Sequence, residues 1–373
     1  MRAAARGPDV RGACAGCLRR SWLLATLSAP LDYRGRDRAR LLELLALTDE
    51  ELLQAIGGRR KEALAARHAD FSPEEIPRVD DVDALCRHDL RYPVALRHAG
   101  APRMLYLTGG ADRLGELTRA PVVALVGSRR ASDYGMEMAK SLARGLAACG
   151  ITIASGLNDG IEVAAQAGAL EVHAGSVAVM PGGLNVTCPA KRRSLLERVK
   201  RNGCAVAELP CDSPARRWGQ PAGERIVAAL AQLTVVVEAE ENTRELAGAW
   251  LARAMGRIVA AVPGRVTSPL SGGTHALLMG GARLVRDPAD ALELLYGETM
   301  PQRVGAAPTH EALEPRLRSV LESVGAGRDT PEKLVHGGAS AGEVLLALSE
   351  LELLGLLARG DGGRYVPRGP RRA

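Results

Sequence analysis

The stretch Val122-Val-Ala-Leu-Val-Gly-Ser-Arg129 decides how the rest of this chain is read. An aliphatic, partly β-branched run ends in Gly127-Ser128-Arg129, and a helical pattern begins near Asp133. A buried strand that stops in Gly-Ser-Arg before a helix sets backbone N–H groups and one guanidinium at the mouth of a parallel sheet. Such a place suits an anion, and phosphate above all. The extra glycines of GxGxxG are absent, and so is GxxxxGK[ST], so neither a dinucleotide nor a nucleoside triphosphate is the expected guest. Arg129 makes nucleic-acid phosphate the leading candidate. A surface arginine paired with a helix carboxylate is the competing role.

Outward from this stretch, residues 76–298 alternate strands and helices. Buried-strand runs fall at Val122–Val126, Ile151–Ala154, Val177–Met180, Cys204–Leu209, Leu233–Val237 and Ile258–Val262, with helical patterns at 133–149, 160–172, 190–202, 222–231 and 243–255. The pattern predicts an α/β core with a Rossmann-like, doubly wound parallel sheet. Ligands of such sheets sit at the carboxyl ends of strands. Gly127, Ser155-Gly156, Gly182-Gly183 and Glu238 all fall there.

Residues 1–75 read as a small helical domain, SAM-like or helix-hairpin-like, with Thr48-x-x-Glu51 as a capping box. Residues 299–313 form a linker, and residues 314–373 form a third unit. In that unit Glu314–Val324 is helical, Thr330-Pro331 opens a second helix, His336-Gly-Gly is a turn, Ser340-x-x-Glu343 caps a third helix, and a hairpin turns around Asp361-Gly362-Gly363. Three helices and a hairpin describe a winged helix.

An apolar content of 46% in 373 residues marks a globular protein with room for two or three domains. The net charge of +6 permits a polyanionic partner without requiring one. No run of about 18 apolar residues exists, and no apolar stretch with a cleavage site follows the Arg-rich start, so a cytoplasmic location is expected. Cys14-x-x-Cys17 has half-site spacing for zinc, yet no second CxxC or HxxxH follows at usable spacing. Reduced structural thiols are therefore expected, with no metal and no cofactor.

Support for Arg129 is expected from the Ser155-Gly156 turn and from Gly160, whose N–H groups sit at the next helix start. Lys191-Arg192-Arg193 lie in the first turn of a helix, where cations are electrostatically unfavourable unless an outside anion balances them. Arg225, beside Pro221 and Gly223, reads the same way; a solvated face is the alternative for both. Tyr134 and Trp218 are the only nearby stacking candidates. Enzyme motifs fail on context. Gly338-Ala-Ser340-Ala-Gly342 matches GxSxG inside a helical region, HExxH is absent, and His173 and His275 have no nucleophile pattern beside them. Pro181-Gly-Gly183 resembles the start of a phosphoribohydrolase motif, but Leu184-Asn-Val-Thr187 follows in place of Gly-Thr.

With these stretches in order, the chain resembles the DprA/Smf (DNA-processing protein A) family over nearly its whole length. The matching segments are Cys17-Leu-Arg-Arg-Ser-Trp-Leu-Leu24, Tyr92-Pro93, Val126-Gly-Ser-Arg129 with Tyr134-Gly135, and Ser155-Gly-Leu157 with Gly160-Ile161. They continue through Gly182-Gly-Leu184, Cys188-Pro189, Val237-Glu-Ala239, Ala261-Val-Pro-Gly264 and Leu351-Glu-Leu-Leu-Gly355. The resemblance implies a dimeric, cytoplasmic, non-enzymatic protein. Such a protein binds single-stranded DNA, protects incoming strands in natural transformation and loads the RecA recombinase. It also implies that Arg129 contacts phosphate. The family's second basic cluster falls loosely on Lys191–Arg193, and its Arg-Asn-Arg helix start on Gly223-Glu224-Arg225.

The chain departs from the family pattern at Glu162, Gln166, Cys188, Glu224 and Glu245. Glu224 and Glu245 add negative charge that would repel phosphates. Two rival functions follow. One is a nucleotide or nucleoside-phosphate hydrolase of the lysine-decarboxylase-like type, with Glu238 as the acid. The other is a scaffold paralogue impaired in DNA binding.

Overall fold

The computed structural model describes residues 12–98, 100–172, 174–185, 190–241, 243–297, 313–325, 328–335, 340–353, 356–359 and 364–367. The chain forms two compact units, Met1–Met300 and Pro301–Ala373.

The first unit opens with α1 (Ala15–Thr26), α2 (Ser28–Arg34), α3 (Arg38–Ala46), α4 (Asp49–Ile56) and α5 (Lys61–Ala69). The expected capping box at Thr48 is present, its side chain accepting from the Glu51 N–H and the Glu51 carboxylate accepting in return. These helices are not an isolated body. Leu18, Leu23, Leu31 and Leu52 share one apolar cluster with Tyr106, Ala178, Ala205 and Trp218. Ser21 bonds Tyr106 at 3.1 Å, and the Trp218 backbone N–H donates to the Asp32 carboxylate at 3.0 Å. The boundary expected at residue 75 is therefore a change of element type and not a gap in packing.

The sheet is built from β1 (Asp83–Cys86) and β2 (Met104–Leu107), then, after α6 (Ala111–Arg119), from β3 (Val122–Val126). Next come α7 (Asp133–Ala148), β4 (Thr152–Ser155), α8 (Ile161–Glu171), β5 (Ser176–Val179), α9 (Ala190–Asn202) and β6 (Cys204–Ala207). The second half adds α10 (Gly219–Leu230), β7 (Leu233–Val236), α11 (Ala247–Ala254), β8 (Ile258–Ala261), α12 (Gly272–Met279), β9 (Arg283–Leu284) and α13 (Pro288–Tyr296). Spatial order is β1-β2-β6-β5-β4-β3-β7-β8-β9. From β6 through β9 all neighbours are parallel, whereas β1 and β2 are antiparallel additions at one edge.

Strands β3, β4, β5, β6 and β7 are almost wholly buried along their length. That burial is why they read as continuous apolar runs rather than alternating ones. The chain winds from β3 out to β6 and then crosses back to β7 on the other side of β3. The topological switch point thus lies between β3 and β7, beyond Val126 and Val236.

The second unit contains α14 (Pro315–Gly325), α15 (Pro331–Val335), α16 (Ala341–Leu353) and the antiparallel pair β10 (Leu357–Arg359) and β11 (Tyr365–Pro367). Leu317, Leu321, Leu334, Leu348, Leu351 and Tyr365 form its core. The capping box at Ser340 is present, Glu343 accepting from the Ser340 N–H at 2.9 Å. The expected turns at His336–Gly338 and Asp361–Gly363, and the linker up to residue 312, lie outside the described residues.

Candidate nucleic-acid interface

Gly127, Ser128 and Arg129 leave β3 at the switch point. The Ser128 N–H donates to the Glu238 carbonyl at 2.7 Å, tying the loop after β3 to the loop after β7. A Cβ on Gly127 would lie 2.5 Å from that same carbonyl, so close approach of two backbones demands glycine here. The Ser128 hydroxyl accepts from the Arg130 N–H at 3.1 Å and is buried, so it shapes the loop. Arg129 is exposed. Among the described residues its guanidinium has no hydrogen-bond or salt-bridge partner, and its charge acts on Glu162 through space.

The turn after β4 is fastened to this loop. Gly160 has φ +81°, and a Cβ there would meet the Ser128 carbonyl oxygen at 2.2 Å. The Ile161 N–H donates to that oxygen at 3.2 Å. Ser155 is fully buried, its hydroxyl donating to the Leu125 carbonyl at 2.6 Å, so it offers a ligand no side chain, while Asp159 at the tip of the same turn is exposed. A Cβ on Gly156 would strike the Glu162 carboxylate at 2.3 Å.

Glu162 and Gln166, two of the departures from the family pattern, are both absorbed internally. Glu162 accepts from the Asn158 backbone N–H at 2.9 Å and from its side-chain amide at 2.7 Å. Burial raises its pKa, opposed by those two bonds and by the positive charges of Arg129 and Arg192. Gln166 is fully buried and donates to the Val177 carbonyl at 3.1 Å, bridging β5 to α8. Glu224, another departure, is paired with Arg38 of α3 and accepts from Gln220 at 3.3 Å, so its charge is balanced within the chain. Glu245 is half-buried. Cys188 lies outside the described residues.

The expected basic cluster divides. Arg192 donates to the Leu157 carbonyl at 2.9 Å and stands 3.5 Å from Asp159, so α9 reaches the Ser155–Gly160 turn and braces it. Arg193 is exposed on the same helix. The Lys191 backbone belongs to α9, while its side chain is outside the described residues.

Two expectations are corrected. Arg225 does not open a helix and does not face an outside anion. The helix begins at Gly219, with Pro221 tolerated in its first turn, which puts Arg225 in the second turn and 3% exposed. There it donates to Glu208 at 2.6 Å and to the Ala222 carbonyl at 3.1 Å. Trp218 is 1% exposed inside the core and has no face for a base. Tyr134 is half-exposed and donates to the Pro263 carbonyl at 3.1 Å, leaving it as the stacking candidate of the pair.

Glu238, the acid of the hydrolase alternative, is 3% exposed. One of its oxygens accepts from the Ser132 N–H at 2.9 Å and the other from the Ser132 hydroxyl at 2.6 Å. Both oxygens are thus occupied in holding the start of α7. A separate cavity of about 880 Å³, beside Arg119, Gln232 and Arg257, opens at the amino ends of the strands, opposite the crevice. No helix among the described residues is long and apolar enough to cross a membrane.

Known proteins match this arrangement. Residues 83–296 match the model of the family described as DNA recombination-mediator protein A. The chain is 35% identical over 337 residues to a DNA processing protein DprA of Mycobacterium tuberculosis, spanning 84% of this chain and 82% of that one. It is also 35% identical over 252 residues to protein Smf of Escherichia coli, covering 65% and 67% of the two chains. Among solved structures, DNA processing protein A of Streptococcus pneumoniae superposes with a TM-score of 0.59 at 26% identity, covering 74% of this chain and 95% of that one. The Helicobacter pylori protein, whose structural study concerns a single-stranded DNA binding mode, superposes with a TM-score of 0.50 at 25% identity, covering 57% and 95%. The matched segment spans the whole switch-point crevice, from β1 to α13, and the chain belongs to the DNA recombination-mediator protein A (DprA/Smf) family.

Proposed function

We propose that this chain binds single-stranded DNA without hydrolysing it, protects incoming strands during natural transformation and delivers them to the RecA recombinase. The carrying observation is Arg129. It is exposed at the topological switch point without a hydrogen-bond or salt-bridge partner among the described residues, on a loop fixed by Ser128, Gly160 and Glu238. Arg192 and Arg193 on α9 widen the positive field, and Lys191 extends the run in sequence. With Tyr134 the one accessible aromatic of the two expected, phosphate charge dominates over base stacking.

The engagement of both Glu238 oxygens by Ser132 speaks against Glu238 as the acid of the hydrolase alternative. In the second unit the order of helices and hairpin fits a winged helix. Glu350 is bonded by Arg316 at 2.8 Å, and Leu345 and Leu346 are about half-exposed on α16, which suits contact with a protein better than with DNA. The active form is a homodimer, as the family resemblance implies.

The test is binding of a labelled strand of about 50 nucleotides, against the same sequence as duplex, over a salt series for wild type and Arg129→Ala. Preferential single-strand binding that weakens steeply with salt and is lost in the variant is the expected result. No binding at low salt by a folded protein overturns the proposal and leaves the scaffold reading.

A further inference from the structure

Far from the crevice in sequence, the edge of the sheet gathers three sulfurs and an imidazole. Cys14 precedes α1 as its N-cap residue without capping it through its side chain, and Cys17 lies in the first turn. Cys86 ends β1, the edge strand, and His88 sits in the turn beyond. His88 Nδ1 is 3.3 Å from Cys14 Sγ, 3.5 Å from Cys17 Sγ and 3.8 Å from Cys86 Sγ. All four ligand atoms lie within 4.8 Å of one another. Tetrahedral zinc, with Zn–S about 2.3 Å and Zn–N about 2.0–2.1 Å, separates sulfur from nitrogen by about 3.5 Å and sulfur from sulfur by about 3.8 Å. The three observed sulfur–nitrogen distances bracket that value.

We propose that Cys14, Cys17, Cys86 and His88 form a Cys₃His site for one zinc ion, which staples the start of α1 to the edge strand β1. The half-site expected from Cys14-x-x-Cys17 had no recognisable partner because the second pair is Cys86-x-His88, about seventy residues on. The fold alone joins them. The surroundings are built for it. Cys17 and Cys86 are each 3% exposed. Gly12, at φ +73°, packs closely against the Ala84 carbonyl of β1, where a Cβ would come to 2.8 Å. A mononuclear site fits better than an iron–sulfur cluster, whose ligands must spread around several irons and are ordinarily all cysteine. Four protein ligands close the sphere, so the ion's role is structural.

The experiment uses the full chain purified under reducing conditions without added chelator. Elemental analysis is expected to find about one zinc per chain, and cobalt exchange to give thiolate-to-metal absorption and tetrahedral visible bands. His88 is exposed, so His88→Ala leaves the fold intact by circular dichroism while weakening zinc by more than about tenfold and shifting the cobalt bands. Cys17→Ser with Cys86→Ser abolishes stoichiometric zinc. Substoichiometric zinc with no cobalt–thiolate signal in the folded wild type overturns the proposal. So does equal zinc in the double variant, or a Cys17–Cys86 disulfide as the resting state under those conditions.

Discussion

Ser132 donates both its backbone N–H and its hydroxyl to the two oxygens of Glu238, joining the N-terminus of α7 to the end of β7 across the switch point. The same hydroxyl accepts from the Gly135 N–H at 3.1 Å, so one side chain caps the helix and anchors the carboxylate. The carboxylate also sits at the positive end of a sixteen-residue helix. Glu238→Ala leaves two half-buried donors of Ser132 without their acceptor and is expected to cost about 1–3 kcal/mol in a denaturant titration. Single-strand affinity should fall with it, since the Arg129 loop hangs from the same segment. Glu238→Gln keeps one acceptor and should cost less than half as much. A Glu238→Ala protein as stable as wild type would show that the bridge holds nothing.

Gly160 tests how closely Arg129 depends on the neighbouring turn. Its positive φ and the 2.2 Å approach of a would-be Cβ to the Ser128 carbonyl leave an alanine no room unless the Ser128–Arg129 backbone moves. Gly160→Ala should therefore lose about 1–3 kcal/mol of stability and weaken DNA binding beyond what partial unfolding explains. Binding measured well below the melting transition separates the two effects, and unchanged affinity there would mean that the loop is set independently of the turn.

The buried pair of Arg225 and Glu208 carries a different expectation. Removing one partner strands the other charge, so Arg225→Ala should cost about 3–5 kcal/mol. Arg225→Met combined with Glu208→Leu should recover most of that loss. Folded double variant should bind single-stranded DNA within about twofold of wild type, since neither group faces the crevice. A large, salt-dependent loss of affinity in that stable double variant would return Arg225 to the interface.

These residues also show what was readable in advance. Six of the seven parallel strands were legible because burial on both faces leaves mostly aliphatic side chains, as in Val122–Val126. The two edges were not. Asp83–Cys86 is short and mixed, Met104–Leu107 pairs antiparallel with both of its neighbours, and the two residues of β9, parallel to β8 at the far edge, are both exposed. The crevice was legible as glycines and polar groups at strand ends. Arg225 was misplaced because Pro221 and Gly223 suggested a helix start three residues later than Gly219, and one turn of error converts an N-terminal cation into a core residue. The inward bonding of Glu162, Gln166 and Glu224 depends on partners distant in sequence or on chain turns, which spacing does not encode.

Glu162 links the fold to the electrostatics of the site. Burial raises its pKa above the usual glutamate value of 4.5, against the pull of Asn158, Arg129 and Arg192. A carboxyl group whose folded pKa is raised holds its proton more tightly folded than unfolded. Its unfavourable contribution therefore grows as pH climbs from the ordinary value through the folded one, and is relieved on acidification. Glu162→Gln should abolish that part of the stability–pH profile while keeping an oxygen to accept from Asn158. The same change removes the negative charge facing Arg129 and Arg192, so single-strand affinity at low salt should tighten by about two- to fivefold, the size of a partly exposed charge interaction. Denaturation at several pH values, with binding measured at neutral pH, reads both effects. A folded Glu162→Gln protein with unchanged or weaker affinity would place this carboxylate outside the field that the phosphates feel.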